Sequence, residues 1–226
     1  MPNNIVIIGG GESVFEGSIE IGLQGLLKDN FVISCNTAFH DFESTGVCIL
    51  DEILISNFKD KLNKQENVIT SKGSNSNRHL EKYYEIESYK SHLGLTGIYA
   101  LSLMNKLFRH ANIFLIGFDF CNGNYHTRNE KLRQLEITKN DVKMKVNPSS
   151  NRNVYDLSEL EIKQIFDEIP IANNIYNVNV HSKIPNYVKL TWNQFFAFVN
   201  THHKSQQYHR SHLKILLQKA GYSQKP

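Results

Sequence analysis

Four short apolar runs in this chain each end on glycine or a polar residue. Ile5–Ile8 precedes Gly9-Gly10-Gly11, Phe31–Cys35 precedes Asn36, Gly46–Leu50 precedes Asp51, and Ile113–Ile116 precedes Gly117-Phe118-Asp119. Runs of this length without polar alternation suit strands buried on both faces, as in a parallel sheet sandwiched by helices. Helix-period segments lie between them. Ile19, Ile21, Leu23, Leu26 and Leu27 suit one helix and Glu52–Leu62 a second, while Ile98, Leu101, Leu103, Met104, Leu107 and Phe108 recur at spacings of three and four. The alternation predicts an α/β fold, a Rossmann-like and mostly parallel sheet with helices on both faces. Such sheets bind ligands outside the carboxyl ends of their strands, where the polar endings collect.

Further along, Asn67–Thr70 reads as another short strand, Leu157–Ile169 as a helix opened by Asp156 or Ser158, and Asn174–Val180 as a last strand at an edge. Residues 71–78 form a Gly/Ser/Asn-rich loop, and residues 127–153 are polar enough for an excursion or lid. Trp192–Val199 and His209–Ala220 read as helices outside the sheet. The 226 residues then divide into one main domain, 1–190, and a C-terminal helical extension, 191–226.

Charge is unevenly placed. Residues 169–226 hold seven of the 25 Lys and Arg and none of the 22 Asp and Glu. A stretch so polarised suits an anionic partner: nucleotide phosphate, nucleic acid or a membrane surface. A solvated basic helix is the plain alternative. No apolar run approaches the roughly 20 residues of a membrane-spanning helix, and the first residues have no basic region before an apolar one. A cytoplasmic or membrane-peripheral protein is expected. Cys35, Cys48 and Cys121 are odd in number and widely spaced, unlike a disulfide framework or a zinc site.

Gly9, Gly10, Gly11 and Ser13, between a strand and a helix, are placed either to bring backbone N–H groups to a phosphate or simply to turn the chain. The spacing matches neither G-x-G-x-x-G nor a P-loop. Asn36 offers a donor and an acceptor at the same edge, Asp51 and Asp119 offer carboxylates, and Thr96-Gly97 opens a helix, with Thr96 as its expected N-cap. Tyr125 and His126 follow Asp119 closely and can donate to a leaving phosphate or take an acceptor's proton, with His181 and His92 as further candidate bases. Arg78, His79, Lys82 and Lys90 are candidate anion contacts.

In order, Ile7-Ile8-Gly9-Gly10-Gly11-Glu12-Ser13, Ser34-Cys35-Asn36, Leu95-Thr96-Gly97-Ile98-Tyr99, Leu115-Ile116-Gly117-Phe118-Asp119-Phe120 and Ile175-Tyr176-Asn177-Val178 resemble the conserved pieces of one superfamily. It comprises bacterial lipooligosaccharide sialyltransferases, 6-hydroxymethylpterin diphosphokinase-like proteins and motility accessory factors. The resemblance spans roughly residues 4–185. It implies a nucleotide-sugar donor, such as a CMP-sugar, held by Gly9, Gly10, Gly11, Ser13, Asn36, Thr96 and Gly97, with Tyr125 steadying the departing phosphate. Two features differ: the sialyltransferase branch's arginine before Thr-Gly meets Leu93 or Gly94, and its catalytic histidine falls at Ser150-Asn151-Arg152. Three functions are therefore expected to compete. The first is glycosyl transfer to a hydroxyl acceptor, a glycan or small molecule, with His126 as base. The second is Mg-ATP diphosphate transfer with Asp51 and Asp119 as magnesium ligands. The third is a non-catalytic nucleotide fold binding an anionic partner through its basic C-terminus. A homo-oligomer is expected in each case.

Overall fold

The computed structural model describes residues 2–87, 95–120, 134–139, 141–145, 157–170, 173–200 and 204–226. The chain opens with β1 (Asn4–Ile8), then α1 (Ser13–Glu20) and α2 (Leu23–Leu27), which break at Gly22 because its left-handed φ of 59° cannot continue a helix. β2 (Phe31–Cys35) leads through a 3-10 turn to β3 (Gly46–Cys48), α3 (Glu52–Leu62), β4 (Val68–Ser71) and β5 (Tyr83–Ile86). α4 (Thr96–Leu107) returns the chain to β6 (Asn112–Ile116), followed by the pair β7 (Glu136–Lys139) and β8 (Val142–Lys145). α5 (Glu159–Asp167), β9 (Asn174–Asn177), β10 (Val188–Lys189), α6 (Trp192–Val199), α7 (Gln206–Lys219) and β11 (Gln224–Lys225) complete it.

Nine strands form one sheet in the order β10-β9-β6-β1-β2-β3-β4-β5-β11, all parallel except β11, which runs antiparallel to β5. This is the α/β, Rossmann-like architecture expected. Burial alternates along the strands: Ile5 and Ile7 join α4, α5 and α7 on one face, while Val6 and Ile8 join α1, α2 and α6 on the other. α3 packs on that second side, with Leu54, Ile55, Phe58 and Leu62 against Val47, Ile49 and Val68.

The C-terminal helices expected within residues 191–226 are present, and they pack into the body of the domain. Trp192, Phe195 and Val199 of α6 and Leu213 and Leu217 of α7 enter the two core layers, and β11 covers the edge at β5. Gly17 lets α6 come this close, since a Cβ there would meet the Trp192 ring at 2.5 Å. β9 is not an edge, because β10 pairs outside it. Within the segment read as a lid, β7 and β8 form an antiparallel pair docked on α3, where Asn57 accepts from Thr138 N at 2.6 Å and donates to its carbonyl at 3.2 Å.

Candidate functional site

From β1 the chain builds outward to β5, and α4 then carries it back to β6 on the other side of β1. The order reverses between β1 and β6, so their carboxyl ends meet with no crossover covering them, and this is where doubly wound sheets hold ligands. Gly9 N donates to Ile116 O at 2.7 Å and Gly11 N to Gly117 O at 2.9 Å. The backbones are too close for side chains: a Cβ on Gly9 would lie 2.6 Å from Gly117 O, and one on Gly11 would lie 2.4 Å from Asp119 Oδ2. Gly10 is exposed with open space around it. Two glycines are thus demanded by packing, and the middle one faces the mouth.

Asp119, only 2% exposed, is turned inward. Its Oδ2 accepts from Ser13 N at 2.8 Å, and its Oδ1 accepts from Ser13 Oγ at 2.6 Å and from Asn179 Nδ2 at 2.8 Å. Ser13 Oγ in turn accepts from Gly117 N at 3.0 Å. The carboxylate sits at the amino end of α1, taking the Ser13 N–H and facing the positive end of the helix dipole, the place a bound phosphate would take. Ser13 is 1% exposed and is used by this clasp, so it does not face the mouth. The surroundings are acidic too: partial burial and then the charges of Asp119, Glu12 and Glu20 push the Glu16 carboxyl pKa upward, with His181 opposing. An anion therefore has little to gain at α1.

The amino end of α4 is different. Thr96 is its first residue, and Leu95, in the N-cap position, provides no side-chain cap. Thr96 was expected to cap its own helix; instead its hydroxyl donates to Asn36 Oδ1 at 2.9 Å, across from the end of β2. Asn36 is held in the left-handed region at φ 52°, which asparagine tolerates better than most residues. A Cβ on Gly97 would meet the Phe118 ring at 2.7 Å, and a Cβ on Gly9 would meet the same ring at 3.3 Å. Phe118 thus bridges the Thr96-Gly97 turn to the glycine bend. Gly9, Gly10, Gly11, Asn36, Thr96, Gly97 and Asp119 form one neighbourhood. The backbone is strained there at Phe120, a bulky residue held at φ 52°, while Gly117 takes φ 74° as only a glycine does freely.

Asp51 stands apart. It is exposed and caps α3, its Oδ1 accepting from Ile53 N at 2.9 Å and Leu54 N at 3.2 Å. It follows β3, three strand positions from β6, a separation of about 14 Å. Asp51 and Asp119 therefore cannot share a magnesium ion, and among the described residues no three His, Cys, Asp or Glu side chains are grouped to hold a metal. Arg78 and His79 belong to a 3-10 turn whose His79 carbonyl meets Asn63 Nδ2 at the far end of α3, away from the mouth, and Lys82 immediately precedes β5 at the sheet's amino edge. Tyr125, His126, His92, Lys90 and Cys121 lie outside the described residues.

His181 is exposed just past β9, its backbone N–H donating to Asn179 Oδ1 at 2.8 Å. Asn179, which carries the Asp119 clasp to the third strand of the mouth, was not anticipated. The one signal was that Asn179 continues the alternation Asn174 to Val180 beyond the last apolar pair of the strand. Cys35 and Cys48, in register on neighbouring strands, are buried, and burial pushes the Cys48 thiol up to about 12, which leaves it unreactive. Comparison of the chain with family models, with curated proteins and with solved structures gave no match.

Proposed function

We propose that this chain is a nucleotide-dependent transferase of the sialyltransferase-like kind, passing a glycosyl group from a nucleotide-sugar donor to a hydroxyl acceptor. The observation that carries the reading is the bridged cluster of Asn36, Thr96, Gly97, Phe118 and Gly9 at the strand-order reversal. The donor phosphate is best received at the amino end of α4, where Leu95 gives no side-chain cap, and at the exposed backbone of Gly10, because Asp119 already fills the equivalent place at α1. Asn36 and Thr96 orient the nucleoside side of the donor. Asp119 is a positioning residue that holds the glycine bend, and His181 reaches the mouth from β9 as a base, alongside Tyr125 and His126 on the segment that follows Asp119. The protein works in the cytoplasm.

Isothermal titration with CMP-, UDP- and GDP-sugars, and with ATP plus magnesium, tests the reading. One nucleotide sugar is expected to bind without a divalent ion, and Thr96→Val is expected to weaken that binding about tenfold, the equivalent of one lost polar contact. Binding of ATP alone, and only with magnesium, favours diphosphate transfer. No binding of any nucleotide refutes both.

A further inference from the structure

α7 packs through Gln206, His209, Leu213 and Leu217, which are 5% exposed or less. At 100° per residue the opposite side of the helix carries Tyr208, Ser211, Ile215 and Lys219. Lys204, one residue before the Ser205 cap, extends the same line, and its Nζ lies 4.8 Å from the centre of the Tyr208 ring. Tyr208 is 41% and Ile215 47% exposed, so both stand outward among the lysines of this stripe. Lys214 is exposed on the flank. Among the described residues no carboxylate pairs with Lys204, Lys214 or Lys219, whereas Arg210, on the inner flank, is bound to Glu43 at 3.1 Å and Glu66 at 3.9 Å. Residues 169–226 contain no acidic residue with which these lysines could pair locally.

We propose that this outer stripe of α7 is a docking surface for an anionic lipid bilayer. Two features together select that partner. Lysines at both ends of the stripe and on its flank complement anionic headgroups, each contributing roughly fivefold in affinity near such a surface. Between them, an amphipathic ring and a branched aliphatic side chain stand outward on a helix lying along the surface, where they enter the headgroup boundary. A nucleic acid would use the charge but not Ile215, and the stripe lacks the row of aromatic rings on which bases stack. The inner side of the helix stays in the core, so the membrane receives a rigid surface, not a helix that unfolds from the domain.

Flotation of the full chain with vesicles tests this directly, using phosphatidylcholine alone and phosphatidylcholine with 30% phosphatidylglycerol, at about 50 and 500 mM salt. The chain is expected to float with the anionic vesicles at low salt only. Lys204→Ala/Lys214→Ala/Lys219→Ala is expected to reduce that partitioning roughly a hundredfold. Tyr208→Ser/Ile215→Ser is expected to reduce it less, by about tenfold, while leaving the same requirement for low salt. Lys59→Ala/Lys64→Ala/Lys72→Ala, on exposed lysines elsewhere, is expected to float like the parent, and circular dichroism confirms that each variant is folded. The proposal is overturned by failure to float with anionic vesicles, by equal flotation with neutral ones, by equal losses in the two lysine variants, or by retention on immobilised heparin or DNA without vesicle binding.

Discussion

At the scale of single residues, the site is organised by a carboxylate that the chain supplies to itself. Asp119 is buried and accepts from both Ser13 and Asn179, so removing its charge leaves buried donors facing a weaker or misdirected acceptor. Asp119→Asn is expected to destabilise the fold by about 2–4 kcal/mol, and Ser13→Ala by about 1–2 kcal/mol, both measurable by urea unfolding. If Asp119 instead served only chemistry, Asp119→Asn would abolish turnover with an unchanged midpoint. Gly97→Ala puts a methyl group where the Phe118 ring lies, 2.7 Å from the new Cβ, and is expected to cost about 1–3 kcal/mol while loosening nucleotide binding, since Phe118 also contacts the Gly9 turn. None of these contacts could be read locally. The Gly-rich bend, Asn36 and Asp119 were visible as endings of apolar runs and Thr96 as a helix start, but that Asp119 caps a helix over a hundred positions earlier follows only from the strand order.

At the scale of elements, the strands buried on both faces were the legible ones, since β1, β2, β3 and β6 are largely apolar runs and β4 is a short Val-Ile-Thr stretch. β5 escaped because Tyr83-Tyr84-Glu85-Ile86 sits near an edge and alternates, with Glu85 half-buried and Tyr84 fully buried. β10 and β11, two residues each, carry no periodicity to detect. α5 was expected with Asp156 or Ser158 as its cap, and it is Ser158 that takes the place, in a reciprocal capping box with Glu161. α7 carries a pH-dependent element of its own docking. His209 is 4% exposed against the Phe31 ring at 5.6 Å, and burial lowers its pKa below the ordinary value despite its contact with the Asp29 carbonyl. The neutral form is therefore the one that docks. Its contribution is complete above the unfolded value of about 6.5 and is lost as pH falls below it, because the unfolded chain takes up the proton first. Melting curves from pH 8 to 5 are expected to fall below about pH 6.5, and His209→Gln is expected to flatten that decline. A parent curve that stays level over this range would remove His209 from the account.

At the scale of the whole molecule, the C-terminal quarter is structural, which its basic, acid-free composition did not reveal. Composition reports charge on the surface, whereas Leu213, Leu217, Trp192 and Phe195 report membership of the core. Deleting residues 201–226 removes two buried leucines worth about 2–5 kcal/mol each, together with the strand that covers β5. Against a typical total of about 5–15 kcal/mol, the truncated chain is expected to lose its cooperative melt, and a sharp transition near the parent's would show that α7 is dispensable. The sheet keeps its two edges for different tasks: the carboxyl edge gathers the glycine bend, Asn36 and the α4 start, while the amino-terminal part of α7 is fixed to the opposite edge through Asn30, Ser44 and Asn67.

The nucleotide donor proposed for this chain would lie at the carboxyl edge where β1 and β6 part, with its phosphate on α4. Titrating the 15N-labelled chain with the nucleotide sugar that binds, and following its backbone amides, tests this most directly. The account predicts the largest shifts at Gly10, Asn36, Thr96 and Gly97, with Ser13 nearly unmoved because Asp119 holds its N–H. Shifts centred on Ser13 and the start of α1, or confined to the amino edge of the sheet, would contradict it.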